Sequence, residues 1–257
     1  MRSVRSALLA GAVGLLLAAL PAGAQRSGAP PLTEPRPSRF TVGLDGVVMD
    51  PRGSFGRNVS NVGVGVGGHV RFRIDPHGIL SLRADFAGSQ YGSERAQIPS
   101  SPYFGGRVGL EVATRNSLSW AGIGPELSLP IGRLRPYVNG SIAYARFATV
   151  SDLEGDGYDT FGNYQNNRRL ASSQNQADGM SARAAGAGLY VPFGPKRWFA
   201  DAHLGMRYFD GAQAEYLREG SITDEGDGGI TFTPLRSRTP FVTYQLGVSV
   251  AIPLRGR

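Results

Sequence analysis

The chain has 257 residues, no cysteine, 37 glycines and a formal charge of +7, carried almost wholly by arginine because Lys196 is the one lysine. Disulfides, thiol catalysis and thiolate metal sites are excluded. The glycine content argues against a helical bundle, and 41% hydrophobic residues argue against disorder. The arginines are scattered along the chain, which argues against nucleic acid as a partner.

Residues 1–24 read as a secretory signal peptide. Arg2 and Arg5 precede an apolar run of 14 residues, Ala7–Leu20, and Ala22-Gly23-Ala24 forms a small-x-small cleavage site before Gln25. Such a run is too short to span a bilayer as a helix, which takes about 20 residues. Cleavage leaves a mature chain of about +5. Residues 25–38 follow as a spacer on the periplasmic side, extended by Pro30, Pro31, Pro35 and Pro37.

From residue 39 to the end the pattern has period two. Phe40, Val42, Leu44 and Val48 alternate with Thr41 and Asp45; Val62, Val64, Val66, Val70, Phe72 and Ile74 alternate with glycines, His69, Arg71 and Arg73. After the turn Asp75-Pro76-His77-Gly78, Leu80, Leu82, Ala84 and Phe86 oppose Ser81, Arg83 and Asp85. Ala121, Ile123, Leu127 and Leu129 oppose Trp120, Gly122, Gly124 and Glu126, and Val138, Ile142 and Tyr144 oppose Asn139, Ser141 and Ala143. The stretch 181–192 is ambiguous: Leu189 and Val191 put odd positions outside, but Arg183 shares their parity. Ala200, Ala202, Leu204, Met206 and Tyr208 oppose Asp201, His203, Gly205 and Arg207; Val242, Tyr244, Leu246, Val248, Val250 and Ile252 oppose Thr243, Gln245, Gly247 and Ser249.

Alternation of this kind suits a soluble sandwich or a membrane barrel. Three features decide for the barrel: the export signal, strands of about 11–15 residues against a usual 5–6, and a polar face of Gly, Ser, Asn and paired Arg and Asp. Those residues suit a cramped interior that must satisfy its own groups. Short turns at 75–78, 131–135 and 193–196 alternate with long polar loops at 51–59, 91–116, 151–179 and 211–237. The predicted fold is therefore an all-β, antiparallel, up-and-down transmembrane barrel over residues 39–257. Its eight strands fall near 39–50, 60–74, 79–90, 118–130, 136–150, 180–192, 197–210 and 239–252, with both ends in the periplasm. The segment 104–114 also reads as a strand and is assigned to the second outer loop; a ten-stranded barrel is the alternative.

The motifs Gly122-Ile123-Gly124-Pro125-Glu126-Leu127 and Leu134-Arg135-Pro136-Tyr137-Val138-Asn139-Gly140, with the final strand, resemble the small outer-membrane β-barrels of the OmpA/OmpX type. In the final strand, Gln245, Gly247, Val250 and Ile252 resemble the signal read by the barrel-insertion machinery. Such barrels often end on an aromatic residue, whereas this chain runs on to Pro253-Leu254-Arg255-Gly256-Arg257. The resemblance implies a monomer in the outer membrane of a Gram-negative-type cell, contacting lipid and lipopolysaccharide, with no peptidoglycan-binding domain expected after the barrel.

Parity sends Asp45, His69, Arg71, Arg73, Arg83, Asp85, Glu126, Asp201, His203 and Arg207 to the lumen, where eight strands leave room for little but side chains. They read as a polar network that plugs and staples the barrel. No catalytic, cofactor or metal site is assigned. The lipid A deacylase type of barrel places a His-x-Ser pair on its outer face, and this chain has none. Asp152-x-Glu154-x-Asp156-Gly157 begins like a calcium loop, but Asn163 stands where the bidentate Glu belongs. Asp224, Glu225 and Asp227 form a second acidic group, and Tyr158, Phe161 and Tyr164 make the third loop aromatic. The expected function is non-enzymatic: anchoring, with loops for adhesion or lipopolysaccharide contact. The alternative is a barrel that binds or transports ions or small molecules, as a narrow channel or a lipocalin-like cup.

Overall fold

The computed structural model describes residues 39–98, 110–131, 134–158, 164–193, 200–218, 220–224 and 230–252. The proposed signal peptide and spacer, the 194–196 turn and the tail after Ile252 lie outside them. Eight antiparallel strands close into one barrel: β1 (Phe40–Pro51), β2 (Gly63–Arg73), β3 (Leu80–Ile98), β4 (Leu110–Ser128), β5 (Arg135–Tyr158), β6 (Tyr164–Phe193), β7 (Ala200–Gly211) and, after four short strands, β12 (Phe241–Ile252). Closure joins the first strand to the last over their full lengths, from Phe40 opposite Ile252 to Pro51 opposite Phe241. The closed ring excludes the ten-stranded alternative.

Register gives the barrel's geometry. Starting at Asp45, partners run through Gly67, Ala87 and Trp120 to Ala145 in one direction. In the other they run through Gly247, His203 and Tyr190 to Arg135. The two paths meet β5 ten residues apart, so the barrel has eight strands and a shear of ten. With rises of ~3.3 Å along a strand and ~4.8 Å between strands, that shear tilts the strands by about 40°.

The outward face is apolar where the sequence pattern places it: Leu44, Val66 and Ile142 are 70%, 74% and 70% exposed, and Phe86, Leu204 and Val250 stand on the same surface. No helix among the described residues is long and apolar enough to cross a membrane, so the greasy surface belongs to strands whose backbone groups are paired around the ring. In 181–192 the odd positions face out: Arg183 is exposed, while Met180, Ala182, Ala184 and Tyr190 are buried.

The outer connections depart from expectation. Much of 91–116 and 151–179 is strand: β3 and β4 stay paired up to Ile98 opposite Leu110, and β5 and β6 up to Tyr158 opposite Tyr164. Residues 110–114 are thus the upper end of β4, not a separate loop strand; residues 104–109 lie outside the described set. These extensions have no aliphatic face because they leave the apolar belt, so the period-two signal fades while the ladder continues. The first loop holds a short helix, α1 (Gly53–Asn58), and the last holds two small pairs, β8 (Gln213–Tyr216) with β11 (Leu235–Arg238) and β9 (Ile222–Asp224) with β10 (Ile230–Phe232).

Candidate functional site

All nine residues of the expected lumen network (Asp45, His69, Arg71, Arg83, Asp85, Glu126, Asp201, His203 and Arg207) are buried, none more than 5% exposed. Strand pleat puts them there, since each shares the inward parity of its strand. Shear then decides which of them meet.

Six form one chain of alternating charge. Arg207 Nη1 lies 2.7 Å from Asp85 Oδ2, and Asp85 Oδ1 lies 2.6 Å from Arg83 Nε. Arg83 Nη1 reaches Glu126 Oε2 at 3.1 Å. Glu126 Oε1 meets Arg71 Nη1 at 3.4 Å, and Arg71 Nη2 meets Asp201 Oδ2 at 3.1 Å. Three guanidinium groups against three carboxylates make this chain self-neutral. Two tyrosines that the sequence pattern did not single out complete it. Tyr190 donates from Oη to Glu126 Oε2 at 2.9 Å and accepts from Arg83 Nη1 at 2.7 Å; its ring lies 4.2 Å beneath the Arg71 guanidinium. Tyr137 stacks on Tyr190 at 4.5 Å. Arg73, also buried, sits toward the periplasmic rim, where Arg135 donates to the Gly78 carbonyl at 2.8 Å.

Asp45 stands apart from this chain. Its carboxylate lies between two imidazoles, with Oδ2 3.1 Å from His69 Nδ1 and Oδ1 2.6 Å from His203 Nε2, and the rings meet edge to face at 4.8 Å. One donor atom from each of the three residues lies within 4.8 Å of the others. Nothing in the local sequence pattern marks these three as metal ligands; the fold brings them together from β1, β2 and β7.

Above the charged layer the lumen changes character. Phe209 and Phe241 stack at 4.5 Å, and the Trp120 ring approaches both, at 5.7 and 5.6 Å. Phe55 of α1 sits among Tyr91, Phe147 and Tyr216 at 5.7, 5.4 and 5.0 Å. Met49, Leu118 and Met180 are buried in the same cluster. The expectation of an interior of Arg, Asp and Gly therefore holds for one half only. Carrying the inward parity of β7 two residues past Arg207 reaches Phe209, and the same step on β5 takes Ala145 to Phe147; that was the available signal. The strand pairs of the last loop are tied down by Asn58 Nδ2 donating to Tyr216 Oη at 2.8 Å and by Tyr91 Oη donating to the Leu217 carbonyl at 3.2 Å.

Of the acidic loop residues, Asp152 and Glu154 lie on β5 beside arginines. Arg115 approaches them at 3.6 and 3.7 Å, and Arg169 approaches Asp152 at 3.3 Å. Ion pairs take the place of the calcium half-loop. The side chains of Asp156, Tyr158, Tyr164 and Asp224, and residues Asp159, Phe161, Asn163, Glu225 and Asp227, lie outside the described set. Gln245 of β12 faces the lumen and Val250 and Ile252 face out, so the residues expected to form an assembly signal, Gly247 among them, lie on the strand that closes the ring.

No family model and no curated protein matches the chain. Among solved structures it is similar to Neisserial surface protein A, at 13% identity over 84% of this chain and 98% of that one, with a TM-score of 0.45. It is also similar to the attachment invasion locus protein Ail of Yersinia pestis in complex with the heparin analogue sucrose octasulfate, at 12% identity over 84% and 97%, with a TM-score of 0.39. A third is the outer membrane protease OmpT of Escherichia coli, at 10% identity over 85% and 98%, with a TM-score of 0.32. With its ring of eight antiparallel strands and its apolar outer belt, the chain has the architecture of the small outer-membrane barrels that its sequence resembles.

Proposed function

We propose that the protein is a non-enzymatic outer-membrane barrel, exported by the signal at residues 1–24, that anchors in lipid and carries raised strands for adhesive contact with lipopolysaccharide or a neighbouring cell surface. The observation that carries this reading is the inequality of strand lengths. β1, β2, β7 and β12 have 11 or 12 residues, enough to cross the membrane. β3 and β4 have 19 each, β5 has 24 and β6 has 30. Four adjacent strands thus continue beyond the apolar belt on one side of the ring, and the sheet they form bears the exposed Arg95 and Arg169 and the half-buried Arg115. The ion-paired and aromatic layers that fill the lumen support a plug rather than the ion or small-molecule barrel.

The test joins Ser151 to Ser173, which face each other in the ladder, through an Asn-Gly turn, removing the top of the β5–β6 pair. The shortened protein is expected to keep the gel shift between unheated and boiled samples that marks a closed barrel. Cells expressing it are expected to lose adherence to lipopolysaccharide-coated or cell-coated surfaces. Equal adherence of the two proteins overturns the contact role, and steady conductance of the full-length barrel in planar bilayers favours the transport reading.

A further inference from the structure

We propose that Asp45, His69 and His203 form a binding site for one divalent transition cation of the zinc type, held across the closure of the barrel. Two imidazole nitrogens and one carboxylate oxygen are the donor set of zinc and its borderline neighbours, and a poor one for magnesium or calcium. The three side chains are each at least 95% buried, and their donor atoms converge within 4.8 Å.

Two further observations point to a ligand. First, the polar atoms are incompletely used: among the described residues His69 Nε2 and both nitrogens of His203 have no aligned hydrogen-bond partner, and neither has Asp45 Oδ1. Asp45 Oδ1 and His203 Nε2 lie 2.6 Å apart but are not aligned as donor and acceptor. A cation bonded to both at ~2.0–2.1 Å would open that gap to about 3.3 Å, a shift of under 1 Å. Second, the neighbouring charges are already balanced. Every arginine of the alternating chain is matched by Asp85, Glu126 or Asp201, whereas the charged-group partners of Asp45 among the described residues are the two imidazoles. A buried carboxylate flanked by two imidazoles, with no arginine or lysine beside it among the described residues, is a donor-rich pocket suited to a cation.

Glycines make the room. A Cβ at Gly43 would run into the His69 ring, and one at Gly247 would run into Asp45 Oδ1 and lie 2.8 Å from His203 Cε1. Gly247 lies on β12, between β1, which carries Asp45, and β7, which carries His203. The three ligands meet only after the last strand has paired with the first, so the ion would be captured as the ring closes and would hold it shut.

The experiment refolds the mature chain into detergent from a chelator-treated denatured state with Zn²⁺, Co²⁺ or Mg²⁺, then removes free ions. One zinc retained per chain is expected, together with visible absorption from the cobalt form, a higher temperature for the gel shift with zinc, and no effect of magnesium. Asp45→Asn, His69→Gln and His203→Gln are each expected to lower zinc affinity at least tenfold. His77→Gln, which alters the remaining histidine in an exposed turn, is expected to leave it unchanged. A folded barrel that retains no zinc, or zinc retention that disappears with His77→Gln, overturns the proposal. Where a ligand variant gives no folded band, the cobalt spectrum of the unaltered protein decides: no absorption bands, no site.

Discussion

The two halves of the lumen solve the same filling problem with different physics. On the periplasmic side, six charged groups alternate through Arg207, Asp85, Arg83, Glu126, Arg71 and Asp201, so each residue is specified by its partners. On the outer side, Trp120, Phe147, Phe209 and Phe241 are specified by volume and shape. The lower half is expected to tolerate no change of charge, and the upper half to tolerate moderate changes of outline. An isosteric substitution should therefore be costly below and cheap above.

Glu126→Gln is the harshest test, because it keeps the shape and leaves Arg71 and Arg83 short of a carboxylate. A loss of about 3–5 kcal/mol is expected in reversible urea unfolding from detergent. A loss below ~1 kcal/mol would mean that the chain of charges is decorative. Next, Val66→Arg on the outward face, 74% exposed in the isolated barrel, should cost about 2–4 kcal/mol in lipid vesicles and far less in mixtures where water reaches the belt. Met49→Leu in the upper lumen, which is fully buried, should stay under about 1.5 kcal/mol; a cost equal to that of Glu126→Gln would erase the contrast between the halves.

The smallest effect concerns pH. Slight burial acts to raise the Asp75 carboxyl, but N–H groups of the turn, led by Leu80 at 2.6 Å, outweigh it and hold the group below its ordinary 3.8. A carboxyl whose folded value is depressed adds stability above its unfolded value and loses it as pH falls through the folded one. Asp75→Asn should therefore lower stability slightly at neutral pH and remove the loss seen below about pH 3.8, where the two curves converge; equal stability of the two proteins at neutral pH would contradict this account.

The parts that were legible in the sequence share one cause. Val62, Val64, Val66 and Val70 alternate with glycine and histidine because lipid and lumen are opposite solvents, and period two records that contrast. Where both faces meet water, as at Ser172, Ser173, Gln174 and Asn175 on β6, nothing alternates, and the sequence has the look of a loop although the ladder persists. For the site, pleat predicted that Asp201, His203 and Arg207 point inward. Which residues they meet depends on shear, a property of the whole ring. Arg71 and Asp201 are 130 residues apart, and no local pattern records that the register brings them within 3.1 Å. The same holds for the convergence of Asp45 with His69 and His203.

The length of β6 has an electrostatic consequence. Above Ala182, the last β6 residue paired with β7, the strand runs on to Tyr164, roughly 60 Å along its own direction, or about 45 Å along the membrane normal at a tilt near 40°. At physiological ionic strength charges are screened over about 8 Å. The far end of the β5–β6 ribbon is therefore several screening lengths from the phosphates of the outer leaflet, so a ligand held there is governed by the ribbon's own charges and not by those of the membrane beneath.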